Sequence, residues 1–468
     1  MSVSLDEVNL LIYKYLKESG FSHTAYVFGT ESLIGSSNSS KNQIPSGALV
    51  SILQNSLGYL RYEKSIKLSQ EKGDSEIIDS IKNLEQLHPE PEIVASKNSE
   101  KDTSISINID IIKSKIINSL DPIILSPEVA YILTGHPQAV YTSCWSTSGD
   151  ILITGGGDSS GILWDINDGQ PVSQKSLEMK SSGDGIDRDI TSIDINRNGS
   201  LIAVGSFFKT ISIYDRNGIP KYSLDGHDSS VFVVKFNPSG SLLCTGSADH
   251  SCIVWDPSKG ALIRRFSFHR DTILDIAWKN DICFASASAD HKIYIQTVTG
   301  STVRLDGHTD QVTSLAWNSN GTLILSGSAD RSIRLWRDDG SCIFVFQGHN
   351  GVISTVRWQP KCQHVFASAS LDGTLRLWNV ISHTCYSILK EHTNEIVTMG
   401  FSPTGEYIAS GGVDSRVVIS RVHDGALMVC IQGNSEVIDL CWDPKGRILT
   451  SCFEDSTVAL IQASKFLK

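Results

Sequence analysis

Short stretches of alternating apolar and polar residues, separated by turns rich in glycine and asparagine, fill the chain from about residue 130 onwards. In "GHTDQVTSLAWNSNGTLILSGSADRSIRLW" (307–336), one such stretch leads to the turn Asn320-Gly321, and two further apolar runs follow it. Alternation with a period of two between turns of this kind predicts β-strands. Three such strands with a more variable fourth predict one blade of a β-propeller.

An aspartate marks the same turn in successive units and recurs about every 41 residues. Its positions are Asp158, Asp249, Asp290, Asp330, Asp372, Asp414 and Asp455. The first interval spans two units, so the chain contains eight. We therefore predict a mainly β fold, an eight-bladed propeller that occupies residues 128–468.

The two ends of this repeat region complement each other. The eighth unit ends at residues 458–461 without a fourth strand, whereas residues 130–133 have the pattern of a fourth strand with no blade before them. Pairing these two segments would close the ring and leave no open end. We expect this pairing to join the last blade to the first residues of the propeller.

The start of the chain has the spacing of helices. Ser4 and Glu7 form a capping box, and the apolar residues that follow lie on one face of a helix that ends at Gly20. A second short helix follows, and two such helices bury too little surface to fold alone. We therefore predict self-association. The predicted oligomerisation residues are Leu10, Leu11, Tyr15, Leu16, Phe21, Ala25 and Phe28.

The segment between these helices and the propeller divides into two parts. Residues 44–66 contain further apolar residues at helical spacing, so the helical head is predicted to span residues 1–66. Residues 67–127 are rich in lysine, glutamate, serine and asparagine, with few apolar residues. This composition predicts a flexible linker.

Charge and cysteine content exclude several classes of function. The net charge is −11 and no block of lysine and arginine is present, which disfavours direct binding to nucleic acid or to anionic membranes. The ten cysteines are scattered singly, as expected for core residues in a reduced compartment without a metal site or disulfides. No apolar run is long enough to span a membrane. We expect no metal and no cofactor.

The units resemble WD repeats, in which His, Ser or Thr, Asp and Trp form a buried hydrogen-bonded set. The chemistry suits these residue types, because the imidazole can donate to the carboxylate while the indole N–H binds the hydroxyl. Four units carry the whole set, which the resemblance makes a structural tetrad: His136, Thr154, Asp158, Trp164; His227, Thr245, Asp249, Trp255; His308, Ser326, Asp330, Trp336; and His349, Ser368, Asp372, Trp378. Gln296 and Ser420 replace the tryptophan in units 4 and 7. Unit 8 has Gly433 and Ile461 in place of the histidine and tryptophan, and unit 2 lacks the set.

Two patterns mimic a catalytic site. The tetrads contain Ser, His and Asp, but they repeat around a ring, whereas an enzyme needs one site. "GDSSG" (157–161) matches the G-x-S-x-G of a nucleophile elbow, which requires a helix after the turn, and a strand is predicted here. We assign no catalytic residue and expect that the protein is not an enzyme.

Unit 2 provides the predicted partner-binding rim. Phe207-Phe208-Lys209 stands at the turn where the other units carry an aspartate. Two aromatic residues beside a lysine on a loop suit a binding hot spot. The alternative is that Phe208 fills the space left by the missing tetrad. Tyr141 and Phe232, on the first strands of units 1 and 3, complete the predicted rim.

Residues 6–34 resemble a LisH motif, with the sequence "DEVNLLIYKYLKESGFSHTAYVFGTESLI". Together with the following F-box-like segment and the eight repeats, it makes the chain similar to the transducin beta-like 1 family of F-box-like/WD-repeat proteins. This resemblance implies an eight-bladed WD40 β-propeller preceded by a small α-helical LisH/F-box-like oligomerisation domain. It also implies a non-enzymatic, oligomeric scaffold subunit of a nuclear histone-deacetylase corepressor complex.

The partners implied by the family are an NCoR/SMRT-type corepressor, a class I histone deacetylase and histone tails, with the nucleus as the expected location and the cytoplasm also open. The alternative function is a substrate receptor of a ubiquitin ligase, with the F-box-like segment docking the ligase. A G-protein β subunit is disfavoured, because those chains have seven blades and a long N-terminal coiled coil.

Overall fold

The structure, a computed structural model, describes residues 123–126, 129–177 and 189–467. The predicted helical head, the oligomerisation residues and most of the linker lie outside the described residues. Two strands precede the first blade, β1 (Ile123–Ile124) and β2 (Ala130–Leu133).

Within the described residues, eight sheets built from antiparallel neighbouring strands follow one another, and each is one blade of a propeller. The strands of blades 1 to 4 are β3 (Val140–Trp145), β4 (Ile151–Gly156), β5 (Gly161–Asn167), β6 (Gln170–Leu177); β7 (Ile190–Ile195), β8 (Leu201–Ser206), β9 (Ile211–Asp215), β10 (Pro220–Leu224); β11 (Val231–Phe236), β12 (Leu243–Ser247), β13 (Cys252–Asp256), β14 (Ala261–Phe266); and β15 (Ile273–Trp278), β16 (Cys283–Ser288), β17 (Ile293–Thr297), β18 (Thr302–Leu305).

Blades 5 to 8 continue the same arrangement and confirm the predicted fold class. Their strands are β19 (Val312–Trp317), β20 (Leu323–Ser328), β21 (Ile333–Arg337), β22 (Cys342–Phe346); β23 (Ile353–Trp358), β24 (Val365–Ser370), β25 (Leu375–Asn379), β26 (Thr384–Leu389); β27 (Ile396–Phe401), β28 (Tyr407–Gly412), β29 (Arg416–Arg421), β30 (Leu427–Gln432); and β31 (Val437–Trp442), β32 (Leu449–Phe453), β33 (Val458–Ile461), followed by a 3-10 turn (Ala463–Lys465). The first strands of successive blades lie side by side and surround the centre of the ring.

The ring closes where the sequence pattern predicts. Strand β2 pairs antiparallel with β33, with Ala130 opposite Ile461 and Leu133 opposite Val458, and supplies the fourth strand of blade 8. Strand β1, from the predicted linker, pairs parallel with β30 and becomes a fifth strand of blade 7. The end of the linker is therefore part of the propeller.

Aspartate side chains hold the turns between the second and third strands of the blades. In blade 5, Asp330 Oδ1 accepts a hydrogen bond from the backbone N–H of Ser332 (2.9 Å). This bond spans Arg331, whose φ of 69° lies in the left-handed region that non-glycine residues rarely adopt. The carboxylate thus stabilises a backbone conformation that the residue type alone does not favour.

The hydrophobic core lies between the blades. Leu335 and Phe346 of blade 5 pack in one cluster with Val356 and Phe366 of blade 6. The rings of Phe346 and Phe366 meet edge to face with centroids 4.9 Å apart. Burying each of these side chains contributes about 1.5–3 kcal/mol, so each blade depends on its neighbour.

Candidate functional site

Blade 5 shows how the predicted tetrad residues meet. His308 places Nδ1 2.7 Å from Asp330 Oδ2 and Nε2 2.7 Å from Ser326 Oγ. Trp336 donates its indole N–H to the same hydroxyl at 2.8 Å. Because the indole can only donate, the hydroxyl of Ser326 accepts from Trp336 and donates to Nε2 of His308. The proton on Nδ1 is then available to Asp330.

The other three predicted tetrads have the same bonds, which connect His136, Thr154, Asp158 and Trp164 in blade 1, His227, Thr245, Asp249 and Trp255 in blade 3, and His349, Ser368, Asp372 and Trp378 in blade 6. All four sets lie where the loop into a first strand meets the turn between the second and third strands. We call the face of the ring that carries these loops and turns the tetrad face.

Electrostatics keep the tetrads of blades 5 and 6 in one protonation state. Burial lowers the pKa of His308, and the nearby Asp330 opposes this effect only partly. Burial tends to raise the pKa of Asp330, but hydrogen bonds from His308 and Ser332 outweigh it and lower that pKa below its usual value. In blade 6 the corresponding bonds lower the pKa of Asp372 to about 2. A neutral imidazole therefore donates to an ionised carboxylate.

Two blades with substitutions keep most of this network. In blade 4, Gln296 donates from Nε2 to Ser286 Oγ at 2.9 Å, so an amide takes the place of the indole N–H. In blade 7, His392 bonds Ser410 and Asp414. Ser420, in the tryptophan position, has no hydrogen-bond partner for its buried hydroxyl among the described residues.

Blade 8 replaces the network with apolar packing. A Cβ atom at Gly433 would lie only 2.5 Å from the ring of Phe453, which is fully buried. The phenyl ring therefore packs against the position where other blades carry histidine. Ser451, in the same blade, keeps its hydroxyl but has no partner for it among the described residues.

The same serine-to-alanine change is predicted to alter the stability of the propeller in opposite directions in blades 8 and 5. Ser451→Ala should stabilise the propeller by about 1 kcal/mol, because it removes a buried polar group that makes no hydrogen bond. Ser326→Ala should destabilise it by about 2–3 kcal/mol, because His308 and Trp336 lose their shared partner. Urea-induced unfolding of the two variants measures both changes. A loss of stability in Ser451→Ala would contradict this account of blade 8.

The geometry of the tetrads does not suit a nucleophile. Ser326 is fully buried, so no substrate can reach its hydroxyl. The turn that contains "GDSSG" lies between β4 and β5, so a strand follows it and the elbow geometry is absent.

Within residues 123–126, 129–177 and 189–467, no group of three His, Cys, Asp or Glu side chains could hold a metal ion. In the same part of the chain, no helix is long and apolar enough to cross a membrane.

The structure brings part of the predicted rim together on the tetrad face. Phe207 is 52% exposed, and its ring meets that of Phe232 edge to face with centroids 6.2 Å apart. Lys209 is exposed and Phe208 is half-buried. Tyr141 is 40% exposed and lies against Gly157 in blade 1. Blades 1 to 3 thus present aromatic side chains to solvent.

Carboxylates near the centre of the ring connect neighbouring blades, a role that was not predicted from the sequence. Asp275 on β15 accepts a hydrogen bond from the backbone N–H of Leu315 in the next blade (2.8 Å). Asp439 on β31 accepts one from Ser143 of blade 1 (2.8 Å) across the closing seam. Burial raises the pKa of both carboxyl groups. The sequence feature that could have identified them is an aspartate inside a strand that otherwise alternates with apolar residues.

Comparison with known proteins agrees with this architecture. The family model described as "WD domain, G-beta repeat" matches residues 127–165, 218–256, 300–337 and 340–379, and that of the anaphase-promoting complex subunit 4 WD40 domain matches residues 399–466. A LisH model matches residues 6–32. The C-terminal WD40 domain of Sif2 is similar in fold, with a TM-score of 0.65 at 20% identity over 73% of this chain and 99% of that one. These features define a WD-repeat propeller protein with a LisH motif, a class of protein-interaction scaffolds.

Several curated relatives align with almost the whole chain. The F-box-like/WD repeat-containing protein TBL1X of Macaca fascicularis is 30% identical over 99% of this chain and 91% of its own length. TBL1Y of Homo sapiens is 29% identical over 98% of this chain and 100% of its own length. The chain belongs to the TBL1 family of F-box-like/WD repeat-containing proteins, which confirms the resemblance drawn from the sequence.

Proposed function

We propose that the protein is a non-enzymatic, oligomeric scaffold subunit of a nuclear histone-deacetylase corepressor complex. The observation that carries this proposal is the combination of a LisH match at residues 6–32 with a closed propeller, in a chain that aligns with TBL1 proteins over almost its whole length. The LisH segment would join copies, and the propeller would hold partners on its exposed loops. An NCoR/SMRT-type corepressor, a class I histone deacetylase and histone tails are the proposed partners.

The geometry of the propeller supports a binding role. Its polar tetrads are buried and fully engaged in structure, while aromatic side chains at Phe207 and Tyr141 face solvent on the tetrad face. Loops held by a rigid ring are suited to partner recognition. Exposed aromatic side chains are the residue type that dominates binding energy at protein interfaces.

Purification of the tagged full chain from nuclei tests the proposal. We expect a histone deacetylase and a corepressor to co-purify with it, with identification by mass spectrometry. The F-box-like description of the relatives keeps a ubiquitin-ligase substrate receptor as the alternative. A cullin with its adaptor, in the absence of a deacetylase, would overturn the proposal in favour of that alternative. Exclusion of the protein from nuclei would contradict the proposed location.

A further inference from the structure

Blade 7 shows that the outer edge of a blade accepts an additional strand. Strand β1 pairs parallel with β30, and Ile124 lies opposite Gln432. The backbone N–H of Leu125 continues this ladder by donating to the carbonyl of Gln432 at 2.9 Å. The linker therefore joins the ring along the side wall of blade 7.

Blade 6, the neighbour of blade 7, has an outer edge that is still open. Its strand β26, with the sequence "TCYSIL" (384–389), is the last strand of its sheet in the part of the chain that the structure describes. Alternate backbone N–H and C=O groups along the outer side of such a strand have no ladder partner. The side chains of Tyr386 and Ile388 are 42% and 43% exposed. This edge therefore offers both backbone hydrogen-bonding groups and apolar surface.

Most of the other outer strands contain residues that discourage pairing with a further strand. Lysine, arginine and proline have this effect at an edge, and they occur in β6, β10, β14 and β18. Strands β2, β22 and β26 contain none of them. Of these three, β26 has six residues and belongs to a blade beside blade 7, whereas β2 has only four and β22 lies two blades away.

One stretch of the linker, which lies outside the described residues, has the sequence pattern of a strand. Residues 106–112 read "SINIDII", in which isoleucine alternates with serine, asparagine and aspartate. β-Branched residues that recur with a period of two favour a β-strand. A strand of this kind gains stability only when it joins a sheet. We therefore ask which open edge it can reach.

The connection from this stretch to β1 is long enough to reach β26. It consists of residues 113–122, and a chain of that length spans up to about 35 Å when extended. Tyr386 donates from its hydroxyl to the carbonyl of Val422 at 3.2 Å, so β26 contacts blade 7 just after β29. From β29 to β1 is about 10 Å across the sheet, and a strand of blade 7 is about 20 Å long. The connection can therefore cross from blade 7 to blade 6.

We propose that residues 106–112 add to β26 as a fifth strand of blade 6. Backbone hydrogen bonds to the open edge hold the segment, and its isoleucines cover Tyr386 and Ile388. Together with β1, the linker then forms a strap along the side wall of two consecutive blades. The strap shortens the stretch between the predicted head and the propeller to residues 67–105, which limits how far the propellers of the proposed oligomer can separate. This inference goes beyond the proposed function and does not depend on the identity of the partners.

Hydrogen–deuterium exchange of the purified full chain, followed by mass spectrometry, tests the strap. We expect the amides of residues 106–112 to exchange at least about tenfold more slowly than those of a synthetic peptide with the same sequence, because ladder hydrogen bonds protect them. In the double variant Ile109→Pro and Asp110→Pro, one of the two removed N–H groups faces β26 in either register. Protection of the remaining amides and of residues 384–389 should then fall. The matched control, Lys97→Pro with Asn98→Pro, changes the linker outside the segment and should leave both unchanged.

A substitution in β26 tests the same contact from the other side. Ile388→Lys should reduce the protection of residues 106–112 about tenfold, because a lysine on an edge strand disfavours pairing. Ile263→Lys is the matched control, since Ile263 is equally exposed, at 43%, on the outer strand of blade 3. It should leave the protection unchanged. Thermal unfolding checks that both variants keep a folded propeller.

The possible outcomes separate the strap from its alternatives. Exchange of residues 106–112 as fast as in the free peptide would overturn the inference, as would equal behaviour of the variants and their controls. Protection that disappears in the variant Leu11→Asp with Leu16→Asp would overturn it in favour of a strand supplied by a second copy. The proposed function is tested separately, because co-purification of a deacetylase does not require the strap.

Discussion

Replacing Trp336 by alanine should lower the free energy of unfolding by about 3–5 kcal/mol, as expected for loss of a buried tryptophan. Trp336 is 1% exposed and packs in a cluster with Leu315 and Ile324, so the change leaves a large cavity in blade 5. It also removes the indole N–H that holds Ser326. Urea-induced unfolding followed by fluorescence measures the loss.

Trp336→Phe is the matched control for this variant. It keeps an aromatic ring in the cavity and removes the hydrogen bond, so it should lose less, about 1–3 kcal/mol. The difference between the two variants separates packing from hydrogen bonding. An unchanged midpoint for Trp336→Ala would contradict the structural role of the tetrads.

Replacing Leu11 and Leu16 by aspartate should convert the protein from an oligomer into a monomer. Both residues lie on the predicted apolar stripe of the LisH segment, and carboxylates there would have to be buried without partners on association. Light scattering coupled to size-exclusion chromatography measures the mass directly. Because the propeller has its own closed core, its thermal unfolding should be unchanged.

A second substitution on the same predicted helix controls for the added charge. Lys17 lies away from Leu11 and Leu16 at helical spacing, on the side of Leu10, and already carries a charge, so Lys17→Asp should leave most of the oligomer intact. A mass that does not change in the double leucine variant would contradict the predicted oligomerisation residues. If the monomer forms, capture of a partner with several binding sites should weaken, because the copies no longer act together.

Much of the propeller could be predicted because its signals are local and repeated. Asp330 and its equivalents mark a turn about every 41 residues, and the doubled first interval between Asp158 and Asp249 reveals the unit that lacks the aspartate, so the number of blades follows from the period. Residues 130–133 and 458–461 could be matched because each lacked a partner of its own. The LisH segment could also be predicted from the sequence, because helical spacing is a short-range pattern.

Contacts between different blades could not be predicted from this periodicity. Asp275 and Asp439 bond the backbone of the next blade, and no feature of their own unit reveals that partner. In blade 8, Gly433 replaces the histidine and the ring of Phe453 packs against it. These two positions are far apart in the repeat, so the period does not reveal that they are in contact. The pairing of β1 with β30 likewise links a linker residue to blade 7, which a reading of the linker's composition cannot anticipate.

The pairing of Ala130 with Ile461 has a consequence for biosynthesis. The ribosome makes β2 before any blade and β33 as the last strand of blade 8, so the ring cannot shut until Ile461 has left the exit tunnel. Until then, the apolar side chains shared by β2, β33 and blade 1 have no cover, including Leu133, Val140 and Leu460. Such a delay exposes a nascent chain to aggregation and makes it a client for chaperones. A premature stop codon in place of Val458 would leave blades 1 to 7 and the first two strands of blade 8 intact in sequence. The ring would still never close, because β2 would have no strand to pair with.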